Sequence, residues 1–312
     1  MTKLSWTSHK CPATLAQADT SSGLRTKDTN LMAAAPSSLA HPPQTPAIQR
    51  PVFSSFSLLA ACTLTILCAP AFAAAAADAH TALAQQRQRI ETADYRISGR
   101  LINVDARGAR ATFGLTIKAH WYADALHIRL DVTSPATARE HVLLELRDNG
   151  QEEISVAHPG DSAMRRLPAA RWSDGPGNGA FSFEDFLEPE YFWPDQNVEG
   201  ETRRGARDCT IVRSRPSASD TTRYSEIRSW LDKTIGFPVY AEKTLKSPGL
   251  VKEFTSLGLR HDGGVWSASQ VQVTVRGRPG STILIIDRGT AHANLSAKDF
   301  APAAALRFEG GL

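Results

Sequence analysis

The sequence predicts a mainly β protein with a few helices (α+β), folded as a curled antiparallel half-barrel of about 11 strands. Apolar and polar residues alternate with a period of two along most of the chain after residue 94. Clusters such as Asp148-Asn149-Gly150 separate the alternating runs, and no helix of crossover length lies between most of them. The predicted strands are 95–104, 111–121, 125–133, 140–147, 152–158, 208–215, 223–232, 237–244, 250–261, 264–276 and 281–287.

The strands at 111–121 and 125–133 illustrate the pattern, with one dry face and one solvated face that carries His120, His127, Arg129 and Asp131. Their dry face comprises Phe113, Leu115, Ile117, Trp121, Leu126, Ile128, Leu130 and Val132. An antiparallel sheet of this size with so few helices must curl upon itself. Short helices are then expected to cover the concave face and to enclose an apolar cavity.

Two non-strand segments supply the cover. A short amphipathic helix is expected over 79–90, with Asp78 as N-cap. The interruption near 165–205 contains a glycine-rich loop and then a capping box, Ser182 with Asp185, which predicts a helix that ends at Pro189. Its apolar side chains include Phe183, Phe186, Leu187 and, after the helix, Trp193. This segment is either a fixed plug or a mobile lid.

The N-terminal 73 residues have the pattern of a targeting segment. Residues 1–49 are poor in large apolar side chains and are a disordered leader or follow a mis-called start. Residues 50–73 form a secretory signal peptide, with an uncharged apolar run between Arg50 and the A-x-A site at 71–73. Cleavage near Ala73 leaves a single domain over 74–312. A transmembrane helix is the alternative for the apolar run.

A second alternative is lipid anchoring through Cys62, which follows the small-residue box Leu59-Ala60-Ala61. Cleavage after Ala73 leaves Cys209 as the single remaining cysteine, so the exported domain has no intramolecular disulfide. In a probable strand, Cys209 is expected to be a small core residue.

Charge and motifs exclude several function classes. Of 35 basic and 32 acidic residues, 30 of each follow residue 73, so no basic field exists for a nucleic acid. The histidines of the exported part show no metal-ligand spacing, so neither a metal nor a cofactor is expected. Glu184 and Asp185 belong to a first helical turn, where the macrodipole favours acids. No catalytic residue is therefore assigned.

Four segments carry a resemblance to a known family: 181–187 (FSFEDFL), 208–212 (DCTIV), 224–239 and 251–254 (VKEF). Together with the signal peptide and the curled meander, these segments resemble the outer-membrane lipoprotein-sorting proteins, the LolA/LolB-like superfamily of periplasmic carriers. The resemblance covers roughly residues 80–300. It implies a half-barrel whose concave apolar face holds lipid acyl chains.

The resemblance implies a monomeric, non-enzymatic periplasmic carrier for the acyl chains of lipoproteins or for another lipid. Its protein partner would be an inner-membrane exporter or an outer-membrane acceptor. The alternative function is a lipid-sensing or envelope-stress-sensing domain on the same fold. The expected ligand-binding residues are the eight dry-face residues from Phe113 to Val132 together with Phe183, Phe186, Leu187 and Trp193.

Overall fold

Thirteen strands of the described chain pair in one antiparallel sheet that does not close, in the order β6-β5-β4-β3-β2-β1-β13-β12-β11-β10-β9-β8-β7. The computed structural model describes residues 69–247 and 249–302, with side chains from residue 78 onward. The predicted leader, most of the predicted signal peptide and Cys62 lie outside these residues. Among the described residues, neither helix has the length and apolar character that a membrane span requires.

The helices and strands follow one another along the chain in this order: α1 (Ala69–Glu91), β1 (Asp94–Val104), β2 (Arg110–Tyr122), β3 (Ala125–Ser134), β4 (Glu140–Arg147), β5 (Glu152–Ala157), β6 (Arg165–Arg166), β7 (Asp195–Arg204), β8 (Arg207–Arg215), β9 (Tyr224–Asp232), β10 (Pro238–Leu245), β11 (Val251–Asp262), β12 (Val265–Val275), β13 (Ser281–Ala291) and α2 (Ala297–Phe300).

The predicted strands all occur within a few residues of their expected ends, but the count of about 11 is too low for the described chain. The two additional strands, β6 and β7, both lie in the segment interpreted as an interruption. β7 reads Asp-Gln-Asn-Val-Glu-Gly-Glu-Thr-Arg-Arg, and it is polar because it is an edge strand with mostly exposed side chains. An edge strand of this kind lacks the apolar alternation on which the prediction relied.

Two consecutive meanders make up the sheet. Strands β1 to β6 form one half, strands β7 to β13 form the other, and the pairing of β1 with β13 joins them. This join brings Leu101 opposite Leu284. Because β6 and β7 are the two outer edges, the chain between them must run from one end of the sheet to the other.

That connection is residues 167–194, here called the strap, and it crosses the sheet strand by strand. Asn103 of β1 donates a hydrogen bond from Nδ2 to the carbonyl oxygen of Gly177 (2.9 Å), and the amide of Ala180 donates to Thr282 Oγ1 of β13 (2.7 Å). Further along, Asp185 forms an ion pair with Lys252 of β11, and Glu190 forms one with Lys243 of β10. The strap is therefore tied to both halves of the sheet.

The predicted α-helix within the strap is absent. The capping box of Ser182 and Asp185 is confirmed, but it begins a single 3₁₀ turn, Phe183–Phe186, and a second 3₁₀ turn follows at Pro189–Tyr191. Glu188 between them has φ 50°, in the left-handed region, which together with Pro189 prevents a continuous helix.

The N-terminal helix is longer than expected. α1 covers Ala69–Glu91, so Asp78 lies inside the helix and is not its N-cap. Ala79, Leu83 and Ile90 are buried in the core, in agreement with the predicted apolar face. α1 packs against β7 and against the 3₁₀ turn Pro189–Tyr191 of the strap.

The expected solvated face of β2–β4 is also wrong. Lys118, Arg129, Asp131 and His141 are nearly inaccessible, although they lie opposite the apolar core face. Arg129 Nε lies 3.0 Å from Asp131 Oδ2 and His141 Nδ1 lies 2.6 Å from Asp131 Oδ1, so an ion pair and a hydrogen bond compensate the burial of these three side chains. At the end of this face, Phe300 of α2 packs over Tyr122 and the two predicted polar-face histidines, His120 and His127.

Candidate functional site

A cleft of about 320 Å³ lies between the C-terminal end of α1, the second half of the strap and strands β1 and β10–β13. Its apolar wall comes from the concave side of these strands, and its main members are Tyr95, Ile97, Phe254, Ala268, Val271 and Ile286. Phe254 and Ala268 are buried, and the other four are partly exposed because the cleft leaves them uncovered.

One position on β13 keeps this space open. Gly289 lines the cleft, and a Cβ atom placed there would meet no heavy atom within 4 Å. Its φ lies outside the left-handed region, so a larger residue is compatible with the backbone at this position. The volume in front of Gly289 is therefore open because no neighbouring side chain fills it.

The strap wall of the cleft is held by a buried charge cluster. Asp185 accepts hydrogen bonds from the backbone amide and hydroxyl of Ser182, both at 2.8 Å, and from Tyr224. Lys252 Nζ lies 2.8 Å from Asp185 Oδ2. Burial alone would raise the pKa of Asp185, but the ammonium groups of Lys252 and Lys243 overcome this effect and lower it. Asp185 thus remains ionised in its buried setting.

A second buried pair lies beside it. Lys243 Nζ is 3.2 Å from Glu190 Oε1, and both side chains are almost fully buried. Burial lowers the pKa of Lys243, but the carboxylates of Glu190 and Asp185 raise it by more, so this lysine stays charged. The two pairs fix the strap to β11 and β10.

Glu184 lies in the first turn of the 3₁₀ helix Phe183–Phe186, in agreement with the expected first helical turn. It is buried, and its Oε1 accepts hydrogen bonds from Thr222 and from the amide of Arg223 (2.9 Å). Nearby Glu152 is also buried, and its Oε2 has no hydrogen-bond partner among the described residues. Burial, followed by the charges of Glu184 and Glu190, raises the pKa of Glu152 well above its usual range.

The rim at the α1 end of the cleft is also charged. Arg89 Nη2 lies 2.6 Å from Glu188 Oε2, so the left-handed residue of the strap is tied to the helix. Exposed Arg260 and Asp262 lie two residues apart on β11 and both line the cleft. The mouth is therefore polar, while the floor is apolar.

None of the twelve residues predicted from the sequence to bind ligand lines this cleft. Nine are buried in the main core, and Trp121 and Phe186 pack against that core; the nine are Phe113, Leu115, Ile117, Leu126, Ile128, Leu130, Val132, Phe183 and Leu187. Trp193 is buried in a separate cluster with Tyr224 and Ile227. On the β2–β5 side, α1 and the first half of the strap thus pack directly onto the sheet.

Most of the cleft wall belongs to the other half of the sheet, strands β10–β13, and β1 adds Tyr95 and Ile97. Ile97, Val271 and Ile286 stand in strands that the sequence predicted, and the alternation of Val271 with polar neighbours was the available signal. Nothing in that alternation distinguishes a wall that is covered from one that is left open. Lys243 and Lys252 gave no signal, because their buried partners come from the distant strap.

Groups with other potential chemistry are accounted for by packing. Cys209 is buried, and its Sγ lies 3.7 Å from the carbonyl oxygen of Arg207. Burial raises the pKa of its thiol, which disfavours a reactive thiolate. Within the described part of the chain, no group of three His, Cys, Asp or Glu residues could hold a metal ion.

Solved structures share the fold. A domain described as an outer-membrane lipoprotein-sorting protein domain, from Vibrio parahaemolyticus, is 18% identical to this chain with a TM-score of 0.68. The match covers 74% of this chain and 100% of that one. A DUF1329 family protein from Desulfovibrio piger is 18% identical with a TM-score of 0.67, and the match covers 74% of this chain and 99% of that one. A LolA superfamily protein from Nitrosomonas europaea is 14% identical with a TM-score of 0.56, and the match covers 72% of this chain and 97% of that one. The fold of this chain is therefore LolA-like.

No curated protein matches the chain significantly. A family model described as "Uncharacterized protein" matches residues 129–306, which is more than half of the chain and includes β4–β13 and the strap. The chain therefore belongs to that family, and its described domain has the LolA-like fold.

Proposed function

We propose that this protein is a non-enzymatic carrier that binds lipid acyl chains in the cleft and moves them through the periplasm towards the outer membrane. The observation that carries the proposal is an unfilled apolar cleft on the concave side of a LolA-like sheet. The names of two structural relatives, an outer-membrane lipoprotein-sorting domain and a LolA superfamily protein, support the same class of function.

The energetics of the cleft favour an alkyl ligand. Each methylene that leaves water for an apolar wall contributes about 0.8 kcal/mol of gross binding free energy. The open mouth gives such a ligand a route out, which a carrier needs for delivery. A substrate of high charge would leave the walls formed by Ile97, Val271 and Ile286 unmatched.

Gentle purification from the periplasm followed by native mass spectrometry tests the proposal. We expect the protein to carry lipid, and the delipidated protein to bind a fluorescent fatty-acyl probe. Val271→Glu is expected to abolish probe binding, because an alkyl chain cannot compensate a carboxylate on the cleft wall. Gln272→Glu, the neighbouring position outside the cleft lining, is the control and should retain binding. A delipidated protein with no affinity for any acyl probe would refute the carrier.

Ligand contact by the twelve residues predicted from the sequence remains a proposal as well. It would require the packed half of the sheet to separate from the strap. An acyl probe with a photoreactive group at its methyl end distinguishes the two halves. We expect cross-links to β12 and β13, near Val271 and Ile286; cross-links to Leu130 or Phe186 would instead show that the packed half opens.

The location in the periplasm is part of the proposal and depends on residues 50–73. Cleavage near Ala73 would remove the first described turn of α1 but keep its buried residues from Ala79 onward. N-terminal sequencing of the cellular protein should give a start close to Ala74. A lipid on Cys62 would replace the soluble carrier by an anchored one, and a lasting complex with an envelope protein would favour the sensor.

A further inference from the structure

We infer that the cleft takes one acyl chain with about a dozen buried carbons, so that the cargo is a single-chain amphiphile and not a lipid with two or three chains. This inference rests on the proposed function and adds the class of the ligand to it. It follows from the capacity of the cleft, the fixed walls around it and the polarity of its mouth.

Capacity sets the number of chains. The cleft has a volume of about 320 Å³. An engineered apolar protein cavity of about 150 Å³ accommodates benzene, which has six carbons, so about twice that volume has room for roughly a dozen. One medium-length chain fills this space. Two chains of ordinary lipid length contain more than twice as many carbons.

The walls limit enlargement of the cleft on the strap side and towards β2–β5. On the α1 side the cleft adjoins a second cavity of about 380 Å³ through Arg89, Phe237 and Trp266, but the lining of that cavity is mainly polar and offers an alkyl chain little apolar contact. On the strap side, Asp185 is paired with Lys252 at 2.8 Å and Glu190 with Lys243 at 3.2 Å, and all four side chains are buried. Moving the strap outward would separate buried charges, which is costly in a protein interior. Towards β2–β5, the concave face is already filled by the protein's own core.

The mouth gives the ligand a direction. Arg260 and Asp262 alternate along β11 and therefore lie on the same side of the strand, and both are exposed at the cleft. Ile97, Ile286 and Val271 line its apolar part. A single-chain amphiphile fits this arrangement with its alkyl chain on the apolar wall and its head group beside the charged pair.

A titration series on the wild-type protein tests the inference directly. Delipidated protein is titrated by calorimetry with lysophosphatidylcholines of eight to eighteen carbons, with fatty acids of the same lengths, and with diacyl phosphatidylcholine in monomeric short-chain form. Native mass spectrometry gives the number of bound molecules. The fatty-acid arm shows whether the head group contributes, while the chain-length dependence reports on the cleft.

The expected result is one bound molecule per protein, with affinity that rises up to about twelve carbons and then levels off. The diacyl probe with two chains is expected to bind at least tenfold more weakly than the single-chain probe with the same number of carbons per chain. If the diacyl probe binds equally well, or two single chains bind together, the inference is wrong while the carrier proposal stands. If no acyl probe binds, the carrier proposal itself is refuted.

Gly289→Trp supplies an independent test, because it places an indole in open space without a steric clash at Cβ. We expect at least a tenfold loss of single-chain affinity and an unchanged melting temperature. Thr112→Trp, at an exposed position of β2 outside the cleft, is the control and should bind normally. Normal binding by folded Gly289→Trp would overturn the inference. If that variant does not fold, the chain-length series decides.

Discussion

At the scale of single residues, the buried charges show most clearly how this sheet differs from a simple two-faced β structure. Asp185, Glu190, Lys243 and Lys252 are buried in close pairs of opposite charge. The opposite charges outweigh burial for Asp185 and Lys243, whereas burial raises the pKa of Glu190 despite the nearby Lys243. Glu152 is the exception, since one carboxylate oxygen is buried without a hydrogen-bond partner among the described residues. Burial raises the pKa of this carboxyl group, which favours its protonated form.

Glu152→Gln should therefore change the pH dependence of stability. The pKa of Glu152 is raised in the folded protein above its ordinary value of 4.5, so the native state binds more protons than the unfolded state above that pH. The contribution of Glu152 to stability is present below pH 4.5 and is lost as the pH rises towards the folded pKa. We expect Glu152→Gln to unfold at the same urea concentration as the wild type near pH 4 and to be more stable by about 1 kcal/mol or more at pH 7.5.

Glu153→Gln is the matched control for this measurement. Glu153 is adjacent, but its side chain is about half exposed, and its pairing with Arg166 spans 3.6 Å at the surface. Its removal should shift the urea midpoint little at any pH. Parallel pH profiles for wild type and Glu152→Gln would show that Glu152 is ionised in the folded protein.

At the scale of elements, the strap is the part whose sequence and structure diverge most. Its aromatic residues and its capping box predict a helix that starts after Ser182. Glu188 in the left-handed region and Pro189 divide that stretch into the 3₁₀ turns Phe183–Phe186 and Pro189–Tyr191. Short turns cannot hold a crossing segment through backbone hydrogen bonds alone. Contacts from Asn103, Thr282, Lys252 and Lys243 supply the attachment instead.

Lys252→Met tests how firmly the strap is attached. Methionine keeps the alkyl stem but removes the charge, which leaves Asp185 without its closest cation in a buried site. We expect a loss of about 3–5 kcal/mol in the free energy of unfolding. Arg100→Met removes a comparable pair with Asp287 at 3.0 Å, but both partners are about half exposed, so it should cost less than about 1 kcal/mol. Equal effects of the two substitutions would show that the strap pair carries no special weight.

At the scale of the whole molecule, the pairing of β1 with β13 decides the architecture. It joins two meanders into one sheet, places β6 and β7 at opposite ends, and thereby forces the strap across the concave face. The strap and α1 fill the β2–β5 side, and the same core extends to Val273 and Leu284 on β12 and β13; the cleft is the part of the β10–β13 side that remains uncovered.

Gly99→Ala should weaken this join. A Cβ at Gly99 would lie 2.2 Å from the carbonyl oxygen of Ile285 on β13, so the two backbones would have to move apart. We expect a loss of at least about 2 kcal/mol in the free energy of unfolding, measured by urea denaturation. Gly289→Ala on β13, where Cβ meets no atom within 4 Å, is the control and should be neutral or slightly stabilising. A neutral Gly99→Ala would mean that the join tolerates wider spacing.

The sequence by itself determined eleven of the thirteen described strands, the core faces of β2 and β3 and the capping box at Ser182, because periodicity and capping are properties of neighbouring residues. The polar edge strand β7, the burial of Arg129 and His141, and the pairing of Lys252 with Asp185 depended on tertiary structure. The position of the cleft depended on tertiary structure as well: the sequence predicted it on the β2–β3 face, whereas the structure has it at the wall around Val271 and Ile286. The physical reason is that hydrophobic alternation marks which side chains avoid water, whereas only the path of the strap decides which of them the protein covers itself.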